Sequence, residues 1–275
     1  MRFVVKLLTM PLKGYTTRFP NNITALKQRL RKGDVVLVEG NQRLSQVIKY
    51  LTQSSWSHSA IYVGDEIARR AHPSARALVD EHGEEARYAL VEALVESGVV
   101  ASPLCKYASF NLRVCRPRNL RREDLQAVLD EVVGEIGHEY DLKNVFDLAR
   151  YFFPVSLVPT RFRRKALRFG SGLPTQVICS SLIALAFGKV GYPILPTITI
   201  EESKEVTTAR SWFDRFLGRG RLAAPGVFRR PSATLVTPRD FDLSPYFEIV
   251  KFNALGNGEF DYRKIVWAEE EGRAH

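Results

Sequence analysis

Apolar side chains recur along this 275-residue chain with two periods, and the change of period divides it. Ile23, Leu26 and Leu30 stand at helical spacing between Asn22, suited to cap a helix, and Gly33, suited to stop one. The β-branched run DVVLVE (34–39) predicts a buried strand, and Leu44, Val47, Ile48 and Leu51 predict a second amphipathic helix. SHSAIYV (57–63) reads as a strand closed by Gly64 and Asp65, with His58, Ala60 and Tyr62 on one face. The polar stretch 66–87 reads as an insertion, after which strand patterns resume over 88–95, 98–101 and 111–116.

Helical spacing takes over in the second half. Leu125, Val128, Leu129, Val132, Val133 and Ile136 predict a helix of about four turns, and 142–152 predicts another. Gly170, Gly172 and Pro174 form a breaker cluster, followed by an apolar helix over 178–190 that Gly191 and Pro193 stop. Residues 196–235 carry Pro, Gly and charge without clear periodicity and read as a long excursion; 246–252 reads as a late strand. Strands followed by helices predict an α+β domain, an antiparallel sheet packed against helices. The expected division is a basic segment at 1–21, a domain over 22–252 with insertions at 66–87 and 196–235, and a tail at 253–275.

Composition adds that the domain is globular: 45% of residues are hydrophobic and 25% charged, near the usual averages. The net charge of +10 is local, because residues 1–33 hold eight Lys or Arg and no acid, and 148–200 hold seven and no acid. Such patches attract lipid headgroups, nucleic acid or acidic polymers, or form a solvated face. No stretch reaches the roughly 18 uninterrupted apolar residues of a spanning helix, and the N-terminus, interrupted by Lys6 and lacking a small-residue cleavage site, is not read as a secretion signal. Cys105, Cys115 and Cys179 are too few and too scattered for a disulfide framework or a zinc clamp. The location expected is therefore cytoplasmic, peripheral at the inner membrane surface if the basic patch docks there, with no metal and no cofactor.

No G-x-S-x-G elbow, Walker lysine loop or H-E-x-x-H helix occurs in the sequence. Cys179 follows the breaker cluster and opens an apolar helix, where free N–H groups and the helix dipole favour a thiolate; by position alone it is either that or a buried apolar cysteine. Cys105 and Cys115 fall in strand-like segments and read as structural. His58 stands in a strand behind Trp56, whereas His72, His82 and His138 read as surface residues. Glu92 interrupts the apolar strand ALVEALV (89–95), where it either faces water at an edge or needs a partner to offset desolvation. Together Cys179, His58 and Glu92 are the parts of a nucleophile, a base and an orienter.

The segments RKGDVVLV (31–38), WSHSAIYVG (56–64), LVEAL (90–94) and VICSSLI (177–183), in that order, resemble the permuted papain-like amidases of the YiiX/YaeF type. HEYDLKN (138–144) resembles the family's Tyr-Asp element, and VTPRDF (236–241) a segment near its C-terminal end. The resemblance spans about residues 22–252 and implies a circularly permuted papain-like (NlpC-type) fold, related to lecithin:retinol acyltransferase, in which the histidine precedes the cysteine. It implies Cys179 as nucleophile, His58 as base and Glu92 as third polar member; Trp56 is a candidate at the substrate, and Tyr140 and Asp141 either line the cleft or serve in packing or capping. The function implied is a cysteine hydrolase of the amidase or peptidase type working through a thioester acyl-enzyme.

The acyl substrate is either a cell-wall peptide or a lipid amide or ester, and the rival functions are an acyltransferase or thioesterase of the same fold, an idle binding module and a nucleic-acid binder. The basic, aromatic segment 148–169 favours a lipid-associated substrate over any specific nucleic acid. Its docking residues are Arg161, Arg163, Arg164, Lys165 and Arg168, five of the seven basic side chains in 148–200. At about 1 kcal/mol per basic residue near an anionic surface, five support reversible docking. Reversing Arg161, Arg163 and Arg164 to Glu is expected to abolish sedimentation with anionic liposomes at physiological salt; sedimentation of the triple variant, or none by wild type, refutes the docking.

Overall fold

The most uniformly apolar stretch of the early sequence becomes the centre of a sheet. In the computed structural model, which describes residues 10, 16, 21–138, 178–200, 226–229 and 232–252, β1 (Val35–Glu39) is flanked on both sides by other strands and covered on both faces. That double burial is why Val35 to Val38 do not alternate with polar residues. Ahead of β1, α1 (Ile23–Arg29) is capped by Asn22, whose side chain accepts from the Ala25 N–H (2.9 Å). Gly33 then takes φ +90°, and Asp34, 1% exposed, accepts from the Arg31 N–H (2.8 Å) and from Arg116 Nε and NH2 (2.8 and 2.7 Å). The Gly-Asp pair thus makes the turn and supplies a buried anchor between the entry to β1 and a neighbouring strand.

After α2 (Arg43–Thr52) the chain lays down β2 (His58–Gly64), then α3 (Glu66–Arg69), α4 (Ser74–His82) and a 3-10 turn at 83–87. It continues through β3 (Ala89–Leu94), β4 (Gly98–Pro103), a 3-10 turn over Leu104–Tyr107 and β5 (Asn111–Pro117) to α5 (Arg122–Gly134). Beyond it lie α6 (Ile178–Lys189), the paired strands β6 (Thr197–Ile200) and β7 (Gly226–Arg229), α7 (Pro238–Leu243) and β8 (Phe247–Val250). The main sheet has six antiparallel strands in the order β4-β3-β2-β1-β5-β8.

The two faces of the sheet carry separate cores. Val35, Leu37, Ile61, Val63, Val91 and Cys115 face α5 and α6, while Val36, Val38, Ala60, Tyr62, Leu90 and Val114 face Leu26 and Leu30 of the α1 region. α6 packs against β2, β3, α5 and the 3-10 turn at 233–235, so Leu182, Ile183, Ala184, Ala186 and Phe187 are all buried. A helix enclosed on most sides has no polar face to show, which explains its nearly continuous apolar sequence.

The structure departs from the sequence reading at particular places. Cys105, expected in a strand, lies in the 104–107 turn because Pro103 ends β4 there. Stretch 66–87 folds as helices that send Ile67, Leu78 and Ala86 into the core, and Glu66 answers its burial with Lys32, Arg69 and Arg70. Within 196–235 the structure places β6, β7 and the 233–235 turn, and Val236 just beyond them is buried. The helix expected at 142–152 lies outside the described residues.

Phe187 anchors α6 by its contacts with Tyr192 and Phe247, ring centroids 5.4 and 5.5 Å apart. Phe187→Ala is expected to lower unfolding stability by about 3 to 5 kcal/mol in denaturant titration, and Phe187→Leu by clearly less; equal losses for both would mean that ring contacts do not hold the helix.

Candidate active site

Three elements that are far apart in sequence deliver the reactive groups. His58 is the first residue of β2, next to Val38 of β1. Glu92 lies in β3, an internal strand, and has no exposed surface; the open alternative of an edge glutamate facing water is excluded. Cys179 lies in the first turn of α6 and is buried (5% exposed).

The sheet holds the two strand residues together. His58 Nε2–H donates to Glu92 Oε2 at 2.6 Å, which leaves Nδ1 as the nitrogen that can exchange a proton with the thiol. The imidazole shares a hydrogen bond with Cys179 and is itself only partly shielded, its side chain 17% exposed. The residue after Cys179 ties α6 down, because Ser180 Oγ donates to the Val236 carbonyl at 2.6 Å and is fully buried.

Glu92 draws two further donors that the sequence did not suggest. Lys106 Nζ donates to Oε1 at 2.5 Å and to Ser102 Oγ at 3.3 Å, and Tyr107 OH donates to Oε2. Both come from the 104–107 turn, which is steadied by Asn21 Nδ2 donating to the carbonyls of Tyr107, Ala108 and Phe110 (3.3, 3.0 and 2.5 Å). A four-residue turn has no periodicity to read. The only sequence signal for these donors was that a carboxylate in an apolar strand requires partners.

The charges in this cluster settle one another. Burial alone disfavours the imidazolium, but the Cys179 thiolate and the Glu92 carboxylate outweigh it and push His58 up to about 10. Burial likewise raises the thiol, yet the His58 charge and hydrogen bond, helped by the Ser59 backbone N–H and hydroxyl, bring Cys179 below the ordinary thiol value. Burial would also raise Glu92, but His58 and then Lys106 hold it well below the carboxylate range. Tyr107 is driven the other way, up, by burial and by the Glu92 charge, so its hydroxyl stays a donor.

Trp56 stands two residues before His58 on the wall of a cleft of about 490 Å³ that Glu39, Asn111, Arg113, Arg239 and Asp242 also line. Its Nε1–H donates to Asp242 Oδ2 (3.1 Å), Arg113 donates to Oδ1 (2.6 Å), and the Arg113 guanidinium lies 5.0 Å from the indole centroid. Asp242 is presented by α7, whose start in the VTPRDF segment is set by a Thr237–Asp240 capping box and a proline in the first turn. Tyr140, Asp141, Arg161, Arg163, Arg164, Lys165 and Arg168 lie outside the described residues. His72 is bonded to Ser74 and His138 to Glu135, away from the cluster. Cys115 is buried in β5 and pushed up to about 12 by burial. Among the described residues no group of three His, Cys, Asp or Glu is placed to hold a metal ion.

The family model described as permuted papain-like amidase enzyme, YaeF/YiiX, matches residues 29–166. The match includes His58 and Glu92 and ends before Cys179. No curated protein matches the chain. The crystal structure of the metalloprotein yiiX from Escherichia coli is similar at 13% identity and a TM-score of 0.43, over 81% of this chain and 97% of that one.

The imidazole accounts for the lowered thiol value, so alkylation of Cys179 is expected to show a pH midpoint below the ordinary thiol value of 9.0. His58→Ala leaves the burial and removes the cation, so the midpoint is expected to rise by at least about one unit, with labelling at pH 7 slowed about tenfold or more. Mass-spectrometric quantification of alkylated Cys179 against Cys105 and Cys115 reads both, and an unmoved midpoint refutes the pairing.

Proposed function

The chain belongs to the permuted papain-like amidase family of the YaeF/YiiX type, and on that premise we propose that it is a cysteine hydrolase using Cys179, His58 and Glu92 to cleave an acyl bond. What carries this reading is a thiol at a helix start, hydrogen-bonded to an imidazole whose other nitrogen is 2.6 Å from a buried carboxylate. The order of the two, histidine before cysteine, supports the permuted NlpC-type arrangement.

In the first half-reaction His58 holds the thiol proton as the Cys179 thiolate adds to the acyl carbonyl. The C–S bond forms while the carbonyl electrons move to oxygen, and the Cys179 backbone N–H is the natural donor to that oxyanion. Collapse breaks the bond to the leaving nitrogen or oxygen, which takes the proton from His58, and a thioester remains. In the second half-reaction His58 removes a proton from water, the hydroxide adds to the thioester carbonyl, and collapse releases the carboxylic acid and the Cys179 thiolate, which pairs again with the His58 imidazolium that holds the proton from water. Glu92 holds the imidazole in the tautomer and orientation for both transfers.

The Trp56 cleft receives part of the substrate; Tyr140 and Asp141 are assigned to substrate binding on the sequence alone. An apolar wall beside paired charges suits a peptide-type amide or the polar end of a lipid amide or ester. The Arg161–Arg168 cluster favours the lipid, with the enzyme working from the cytoplasm at an anionic inner-membrane surface. If an acceptor other than water reaches the thioester, the same site is an acyltransferase; if the substrate is itself a lipid thioester, it is a thioesterase.

A panel of acyl activity-based probes, peptide and lipid in type, followed by mass spectrometry of the labelled residue, tests the reading. Labelling of Cys179, lost in His58→Ala and reduced in Glu92→Gln, is the expected result. Absence of Cys179 labelling across the panel identifies an idle binding module instead.

A further inference from the structure

The two oxygens of Glu92 are used differently. Oε2 receives His58 and Tyr107, whereas Oε1 receives only Lys106 among the contacts described, at 2.5 Å. Lys106 is in turn fixed by Ser102 Oγ (3.3 Å) and by the face of Tyr107, 5.1 Å from its ring centroid. Its side chain is 36% exposed, while the carboxylate it touches is fully buried. The cluster therefore holds two anions and two cations in a row: Cys179 thiolate, His58 imidazolium, Glu92 carboxylate, Lys106 ammonium.

We propose that Lys106 is a positioning residue of this site: it shares the Glu92 carboxylate with His58 and thereby keeps the imidazolium able to release its proton to a leaving group. The role rests on the hydrolase reading above.

The argument is electrostatic. The charged and titratable groups facing the His58–Glu92 pair are Cys179 from α6, and Lys106 and Tyr107 from the 104–107 turn, with the neutral hydroxyl of Ser102 from β4 alongside. Taking away Lys106 removes a unit of positive charge from a buried anion, and any proton held between His58 and Glu92 is then bound more tightly, whichever atom carries it. A base that grips its proton too firmly still assists thiolate formation but is a poor acid. The loss should therefore appear where the leaving group must be protonated, as with an amide, and fade where it departs as a stable anion, as with a nitrophenolate. A guanidinium would supply the same charge from the same half-exposed place, so Lys106→Arg is the rescue and Lys106→Met the deletion.

The substrate-free test is a 15N NMR titration of His58 in a Cys179→Ala background, which removes the thiolate and isolates the carboxylate side of the cluster. Adding Lys106→Met is expected to raise the His58 midpoint by at least about half a unit, roughly a threefold gain in proton affinity, and Lys106→Arg to restore it. A midpoint that stays or falls overturns the proposal. With Cys179 intact, Lys106→Met is expected to slow cleavage of an anilide about tenfold while changing the p-nitrophenyl ester of the same acyl group less than about twofold; equal losses on both overturn the acid role. Lys106→Gln serves as a second deletion should the methionine variant unfold. Because the titration needs no turnover, a chain that shows the shift yet cleaves neither substrate contradicts the hydrolase reading while the sharing of charge stands.

Discussion

A carboxylate with no exposed surface, in an internal strand of a sheet, is the constraint on which the site depends. Left unpaired, the Glu92 charge would cost several kcal/mol, so the strands and turn around it are arranged to supply donors. His58 comes from the adjoining strand, and Lys106 and Tyr107 from the turn that follows the strand on the other side. The imidazole is thereby oriented before any substrate arrives, its Nε2 committed and its other nitrogen turned to the thiol. Electrostatic preorganisation of this kind sets the protonation of Cys179 through His58 without a direct contact between Glu92 and the sulfur.

The thiol must meet that imidazole from a separate layer, and the packing of α6 makes the meeting reproducible. At the start of the helix Ser180 is hydrogen-bonded to Val236; at its end Phe187 and Tyr192 pack on Phe247, and Tyr192 OH donates to the carbonyls of Arg118 and Tyr246 (2.8 and 2.7 Å). The helix is thus fastened at both ends to the C-terminal strand and the segment leading to it. On the far side of β1, the Asp34–Arg116 pair joins the turn before β1 to β5, so β1 is braced at its start while His58 lies beside its end. The same C-terminal segment supplies Asp242 to Trp56 and Arg113, tying the cleft wall to the strand that carries the histidine.

Much of this was legible in the sequence because it rests on local rules. Asn22 caps α1, the DVVLVE run is buried on both faces, and the apolar helix begins one residue before Cys179. The three residues expected to act together are brought into one hydrogen-bonded cluster, although only His58 and Glu92 lie on neighbouring strands. What escaped was non-local. Lys106 and Tyr107 occupy a four-residue turn with no period, and Cys105 shared the apolar look of a strand until Pro103 ended it. Stretch 66–87 looked uniformly polar because its charges answer one another: Glu66 is buried among Lys32, Arg69 and Arg70, a network that composition records only as hydrophilicity. Asp242 was hidden for the same reason, its partners Trp56 and Arg113 lying more than a hundred residues upstream.

The central claim is that the Cys179 thiolate and the Glu92 carboxylate together make His58 a cation at neutral pH. The protonation state of the His58 ring in the unmodified protein tests it most directly. In 15N NMR at pH 7 both ring nitrogens are expected to carry protons, the histidine having been pushed up to about 10, and Glu92→Gln should return the ring toward the neutral form. A His58 ring with one protonated nitrogen at pH 7 in the wild-type protein would contradict the account.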